Sequence, residues 1–118
     1  MKVLVVDDQD VNRQLPAAIL RKVGVDVIQA ASGPEALARM QEQPDIRHLL
    51  LDVSMPGMSG TEVCRTLRQG TGGEGLLIVA YTAHAFPEEK AQIMEAGFDE
   101  LLIKPISRSS LLQALGLD

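Results

Sequence analysis

Five short apolar runs recur along the chain: VLVV at 3–6, VDVI at 25–28, HLLL at 48–51, LLIVAY at 76–81 and LLI at 101–103, with helix-period segments between them. Four of the five are unbroken rather than alternating. A strand with one wet face alternates polar and apolar side chains, so an unbroken run belongs to a strand covered on both faces. Strands joined through helix-length segments pair in parallel, and right-handed crossovers then lay helices on both sides. The pattern predicts an α/β fold, a doubly wound five-stranded parallel sheet. A chain of 118 residues suits one domain, 1–118, and not two.

The helices carry their own boundary signals. Ser32 stands three residues before Glu35, and Ser59 three before Glu62, so each pair predicts a capping box. Pro87 suits a first turn, while Gly24, Gly70, Gly97 and Gly116 fall where left-handed C-terminal caps are wanted. Helices are expected near 12–23, 33–42, 60–69, 87–96 and 108–115, with Asn12 as a cap for the first. Pro16 lies about one turn inside that first helix, where it removes a hydrogen bond, and no neighbouring residue compensates.

Composition narrows the chemistry. Eleven Lys and Arg face sixteen Asp and Glu, a formal net charge of −5, which offers no basic surface to nucleic acid or anionic lipid. A phosphate-bearing partner would therefore need a local cation or a metal. One cysteine, Cys64, excludes an internal disulfide and a cysteine zinc cluster. No apolar run nears the roughly 20 residues that cross a bilayer, and no signal-like segment precedes the first strand. A soluble, cytoplasmic protein without membrane insertion or direct nucleic-acid binding is expected.

Ligands of such sheets sit at the carboxyl ends of the strands. The residues there are Asp7 and Asp8, then Asp52, then Thr82, then Lys104 before Pro105. Two like charges about 4 Å apart repel by roughly 4 kcal/mol at an effective dielectric near 20, so three carboxylates on one edge need neutralising. Lys104 supplies one positive charge and a divalent cation two more. Hard oxygen ligands without a nearby His or Cys favour Mg²⁺.

At this point the chain resembles the receiver domain of two-component response regulators. The features that carry the resemblance are the acidic pair in VVDDQD, the central Asp of LLLDVSMPGMSG, the Thr-Ala of YTAHA and the Lys-Pro of LLIKPI. The separations of 44, 30 and 22 residues between Asp8, Asp52, Thr82 and Lys104 are similar to those of the family. The resemblance covers essentially the whole chain and implies a flavodoxin-like sheet of strand order 2-1-3-4-5. It implies that Asp52 accepts a phosphoryl group from a phosphohistidine on a histidine kinase or phosphotransfer protein. Asp8 would bind Mg²⁺ directly, Asp7 directly or through water, with Asp52 and the backbone carbonyl of Ser54 completing the set. Lys104 would pair with a phosphoryl oxygen, and Thr82 would turn its hydroxyl onto another, moving its loop and the face of the fourth helix, fifth strand and fifth helix. The Lys104–Pro105 bond would be cis.

His84 and Ser54 occupy positions that in this family border the site and affect phosphate lifetime; influence and no effect both stay open. Leu101 stands where the family usually carries an aromatic, which puts the usual aromatic readout in doubt. Tyr81 faces away from Thr82 by strand alternation and is expected in the core, as is Cys64, while His48 is structural. The G-x-G-x-x-G at Gly70, Gly72 and Gly75 follows a helix and opens a strand, the reverse of a dinucleotide fingerprint, and reads as a connector.

A phosphoryl-accepting switch is therefore expected rather than an enzyme releasing a product. The alternative is a small Mg²⁺-dependent aspartyl phosphatase or mononucleotide-binding protein on the same scaffold. DDQD lacks the Ser, Thr or Gly cradle of a flavin phosphate, and Ser54 stands where such a phosphatase wants its second acid. A chain ending at its fifth helix would be either a free-standing receiver or one from a longer protein such as a hybrid kinase, with kinase and output partner unspecified.

Overall fold

In the computed structural model, which describes residues 1–70, 72–83 and 85–117, strand and helix alternate throughout. The elements are β1 (Lys2–Val6), α1 (Asp10–Lys22), β2 (Asp26–Ala30), α2 (Gly33–Glu42), β3 (His48–Asp52), α3 (Gly60–Gln69), β4 (Leu77–Thr82), α4 (Pro87–Glu95), β5 (Glu100–Ile103) and α5 (Arg108–Ala114). A 3-10 turn at Gly73–Gly75 precedes β4. All pairings are parallel, in the order β2-β1-β3-β4-β5. Both the fold class and the strand order are as expected. No described helix is long and apolar enough to cross a membrane.

The unbroken apolar runs are explained by two separate cores, one on each face. Leu4, Val6, Leu49, Leu51, Ile78 and Ala80 pack with residues of α2, α3 and α4. Their alternating neighbours Val3, Val5, Leu50, Val79 and Tyr81 pack with Leu20 of α1 and Leu111, Leu112 and Leu115 at α5. Each strand thus feeds both sides of the sheet, as the absence of polar alternation requires.

Several boundaries differ from expectation. α1 begins at Asp10, with Gln9 as its cap residue and no side-chain cap; Asn12 lies inside the helix, its N–H on the Gln9 carbonyl. The helix runs through Pro16, whose ring is buried. β2 spans 26–30 rather than 25–28, because its pairing runs from Lys2↔Asp26 to Val6↔Ala30, leaving Val25 buried ahead of the strand. β4 runs 77–82 rather than 76–81, one residue later than its apolar run. Ser59 and Glu62 form the full reciprocal box, but Glu35 accepts from Ala31 N–H rather than from Ser32, so the α2 box is only half made. A second full box, Ser107 with Ser110, starts α5. Gly24, Gly97 and Gly116 have the left-handed conformation, whereas Gly70 has φ −78 and the reversal falls at Gly72, φ 80.

Candidate functional site

Parallel strands bring their carboxyl ends to one edge, and chain order reverses between β1 and β3, the place where sheets of this kind bind ligands. Asp7 follows β1, Asp52 closes β3, Thr82 closes β4 and Lys104 follows β5. Among the described residues, the buried polar or charged ones are Asp7, Asp52 and Thr82, all at this edge. Helix α3 starts hard against the end of β3: a Cβ on Gly60 would lie 2.1 Å from the Asp52 carbonyl oxygen, so only glycine allows this approach.

Of the five residues expected to meet, four are tied together by side-chain distances and Thr82 by its backbone. Carboxylate oxygens of Asp7, Asp8 and Asp52 all lie within 4.8 Å of one another. The Lys104 amine bridges two of them, at 3.2 Å from Asp7 Oδ2 and 3.3 Å from Asp52 Oδ1. Thr82 is buried on the same edge, and its carbonyl accepts the Lys104 backbone N–H at 2.7 Å. The backbone N–H of exposed Ser54 points at Asp52 Oδ1, 3.4 Å away. The Lys104–Pro105 bond is cis. His84 lies outside the described residues.

The two buried carboxylates are treated differently by their surroundings. Burial pushes Asp7 up, but the Tyr81 hydroxyl, the Gln9 N–H and Lys104 outweigh it and hold this carboxyl below its ordinary value. Burial also pushes Asp52 up, and the Asp7 charge adds to it; Lys104 and the Ser54 N–H offset only part, leaving Asp52 at about 6. At neutral pH Asp52 is therefore still mostly a carboxylate, and an unusually basic one.

Tyr81 is the residue that strand alternation alone misplaces in function. It does face away from Thr82, into the α1–α5 core, but its hydroxyl reaches past the strand end to donate to Asp7 Oδ2 at 2.6 Å. Its ring centroid lies 4.5 Å from Lys104 Nζ. The signal was available: Val3, Val5 and Asp7 alternate onto one face, and Tyr81 is the register partner of Asp52. Cys64 is fully buried, and burial pushes its thiol up to about 11, which fits a packed side chain. Leu101 is half-buried against the α2–α3–α4 core. Among the described residues, Gly70, Gly72 and Gly75 lie between α3 and β4, and no α-helix opens after them before the strand.

Among the described residues, three carboxylates against one amine leave an excess of two negative charges in a cluster of oxygen donors. That donor set fits a hard divalent cation such as Mg²⁺ and gives nothing to bind a soft one.

Comparison with known proteins agrees with this geometry. The family model described as "Response regulator receiver domain" matches residues 3–116. The chain is 38% identical, over 97% of its length, to sensor histidine kinase GacS of Pseudomonas protegens, and 34% identical, again over 97%, to hybrid signal transduction histidine kinase L of Dictyostelium discoideum. It spans only 13% and 7% of those two proteins. The chemotaxis protein CheY4 of Vibrio cholerae superposes with a TM-score of 0.90 at 34% identity, covering 98% of this chain and 95% of that one. The chain belongs to the receiver domain family of two-component and phosphorelay systems, whose members are signalling switches rather than conventional enzymes.

Proposed function

We propose that residues 1–118 form a single cytoplasmic receiver domain in which Asp52 takes a phosphoryl group from a phosphohistidine on a histidine kinase or phosphotransfer protein. An Asp52 carboxylate oxygen forms the new bond to phosphorus, the phosphorus–nitrogen bond breaks, and its electron pair stays on the imidazole. Asp7, Asp8, Asp52 and the Ser54 carbonyl would hold Mg²⁺, which when bound supplies the positive charge that lets an anionic phosphoryl group approach an anionic nucleophile. The observation that carries this reading is the shared amine: one Lys104 serves two buried carboxylates, so Asp52 stays undercompensated and basic.

Each neighbour then has a task. Lys104, anchored through its backbone to Thr82, holds an ammonium where a phosphoryl oxygen arrives. Thr82 turns its hydroxyl to another phosphoryl oxygen and draws on the backbone it shares with β5. The face of α4, β5 and α5 responds; Ile103 and Phe86 leave exposed apolar surface there. A donor must close over the carboxyl edge to reach Asp52, and exposed Val11 and Leu15 on α1 border that approach.

Incubation with acetyl phosphate, with and without Mg²⁺, followed by intact-mass measurement tests this directly. The wild-type chain gains one phosphoryl group only with the metal, and Asp52→Asn gains none. A gain that needs neither refutes the proposal.

A further inference from the structure

Tyr81 has no part in the chemistry proposed above, yet its hydroxyl sits inside the acid pocket. It is buried at 2% exposure, and its 2.6 Å bond to Asp7 Oδ2 is in the short range of charge-assisted O–H···O⁻ hydrogen bonds. The same oxygen accepts from Lys104 Nζ at 3.2 Å, while Asp7 Oδ1 accepts from the Gln9 N–H at 2.9 Å. Asp7 thus meets three donors from within the protein. Among the described residues, the contacts to Asp52 are longer: Lys104 at 3.3 Å and the Ser54 N–H at 3.4 Å.

We infer that Tyr81 is a positioning residue whose hydroxyl holds Asp7 and competes with a divalent cation for it, so that the site binds its metal more weakly than its three carboxylates alone would allow. The inference rests on the metal-assisted reading of the site. A carboxylate whose charge already answers short internal donors has less to offer an arriving cation, and a cation drawing on Asp7 weakens the phenol bond in return. The ring itself has a separate contact, beneath the Lys104 amine, which phenylalanine would keep. Tyr81→Phe therefore removes the competing donor and little else.

Calorimetric titration with Mg²⁺ gives the first readout. Tyr81→Phe is expected to bind Mg²⁺ about three- to tenfold more tightly than wild type, since only part of a charge-assisted hydrogen bond is lost when metal arrives. A second readout needs no variant: Tyr81 is the one tyrosine of a chain without tryptophan, so its near-ultraviolet absorbance reports its own hydroxyl. Mg²⁺ should shift that band with the same midpoint as calorimetry. A hydroxyl that only stabilises the fold would leave metal affinity unmoved. Unchanged or weaker binding by Tyr81→Phe, or a tyrosine band silent to a metal that does bind, overturns this inference alone. A wild-type chain that binds no Mg²⁺ overturns it together with the reading of the site.

Discussion

The two ends of the sheet hold charge in opposite ways. Where β4 and β5 begin, Arg68 of α3 donates to the carbonyls of Gly97, Gly73 and Leu76 at 2.9, 2.7 and 2.8 Å, and to Asp99 Oδ2 at 2.7 Å. Asp99 also accepts the Ile78 N–H at 2.8 Å. One cation answers one carboxylate, and the remaining donors find carbonyls. Where the strands end, three carboxylates gather and, among the described residues, one amine answers two of them. A balanced clasp spends all its charge on the fold. An unbalanced pocket gives up some stability and keeps charge for what arrives, which is how a functional polar cluster differs from a structural one.

The largest effect should come from breaking the clasp. Arg68→Ala leaves three carbonyls without their donor and Asp99 with the Ile78 N–H, and urea denaturation should show a loss of about 3 kcal/mol with Mg²⁺ affinity unchanged. A loss below about 1 kcal/mol would mean the two ends do not differ as described.

Asp52→Asn should act in the opposite sense, gaining up to about 3 kcal/mol at pH 7 without metal. The sign follows from where the proton sits. Asp52 titrates at about 6 when folded against 3.8 as its ordinary value, so between these the folded chain keeps a proton that the unfolded chain releases. The stabilisation is complete below 3.8 and is lost as pH rises through about 6. The gap between wild type and Asp52→Asn should therefore close as pH falls toward 4, as denaturation across a pH series can check.

Asp7 sharpens the contrast within the pocket. Its folded value is lowered, so its contribution is present above 3.8 and disappears as pH falls through that lowered value. Asp7→Ala leaves the Tyr81 hydroxyl buried without its acceptor and should lose about 1–3 kcal/mol at pH 7 by the same denaturation assay. Two neighbouring aspartates at the ends of adjacent strands should thus shift stability in opposite directions.

Much of this site can be read from residue order because parallel strands map positions after each apolar run onto one edge. Asp7, Asp8, Asp52, Thr82 and Lys104 all lie at that edge for this reason. What escapes the sequence depends on reach and on partners far along the chain. Tyr81 is core by alternation, but its phenol is long enough to leave the core at the strand end. Arg68 binds groups near Gly97 and Asp99, and no local pattern announces such a contact. The start of α1 is unmarked because Gln9 caps it without a side-chain bond, and the α5 box hides because Ser110, not Glu or Gln, stands at its third position. Edge strand β2 has one neighbour, so its register with β1 rather than its apolar run sets its limits.

On the proposed reading, the excess negative charge at the strand ends awaits a divalent cation. Equilibrium denaturation of the wild-type chain at pH 7 across a Mg²⁺ series tests it most directly. Stability should climb by about 1.4 kcal/mol for each tenfold rise in Mg²⁺ above its dissociation constant, with a smaller response in Asp52→Asn. A wild-type chain whose stability ignores Mg²⁺, or an Asp52→Asn chain that responds equally, would contradict the account.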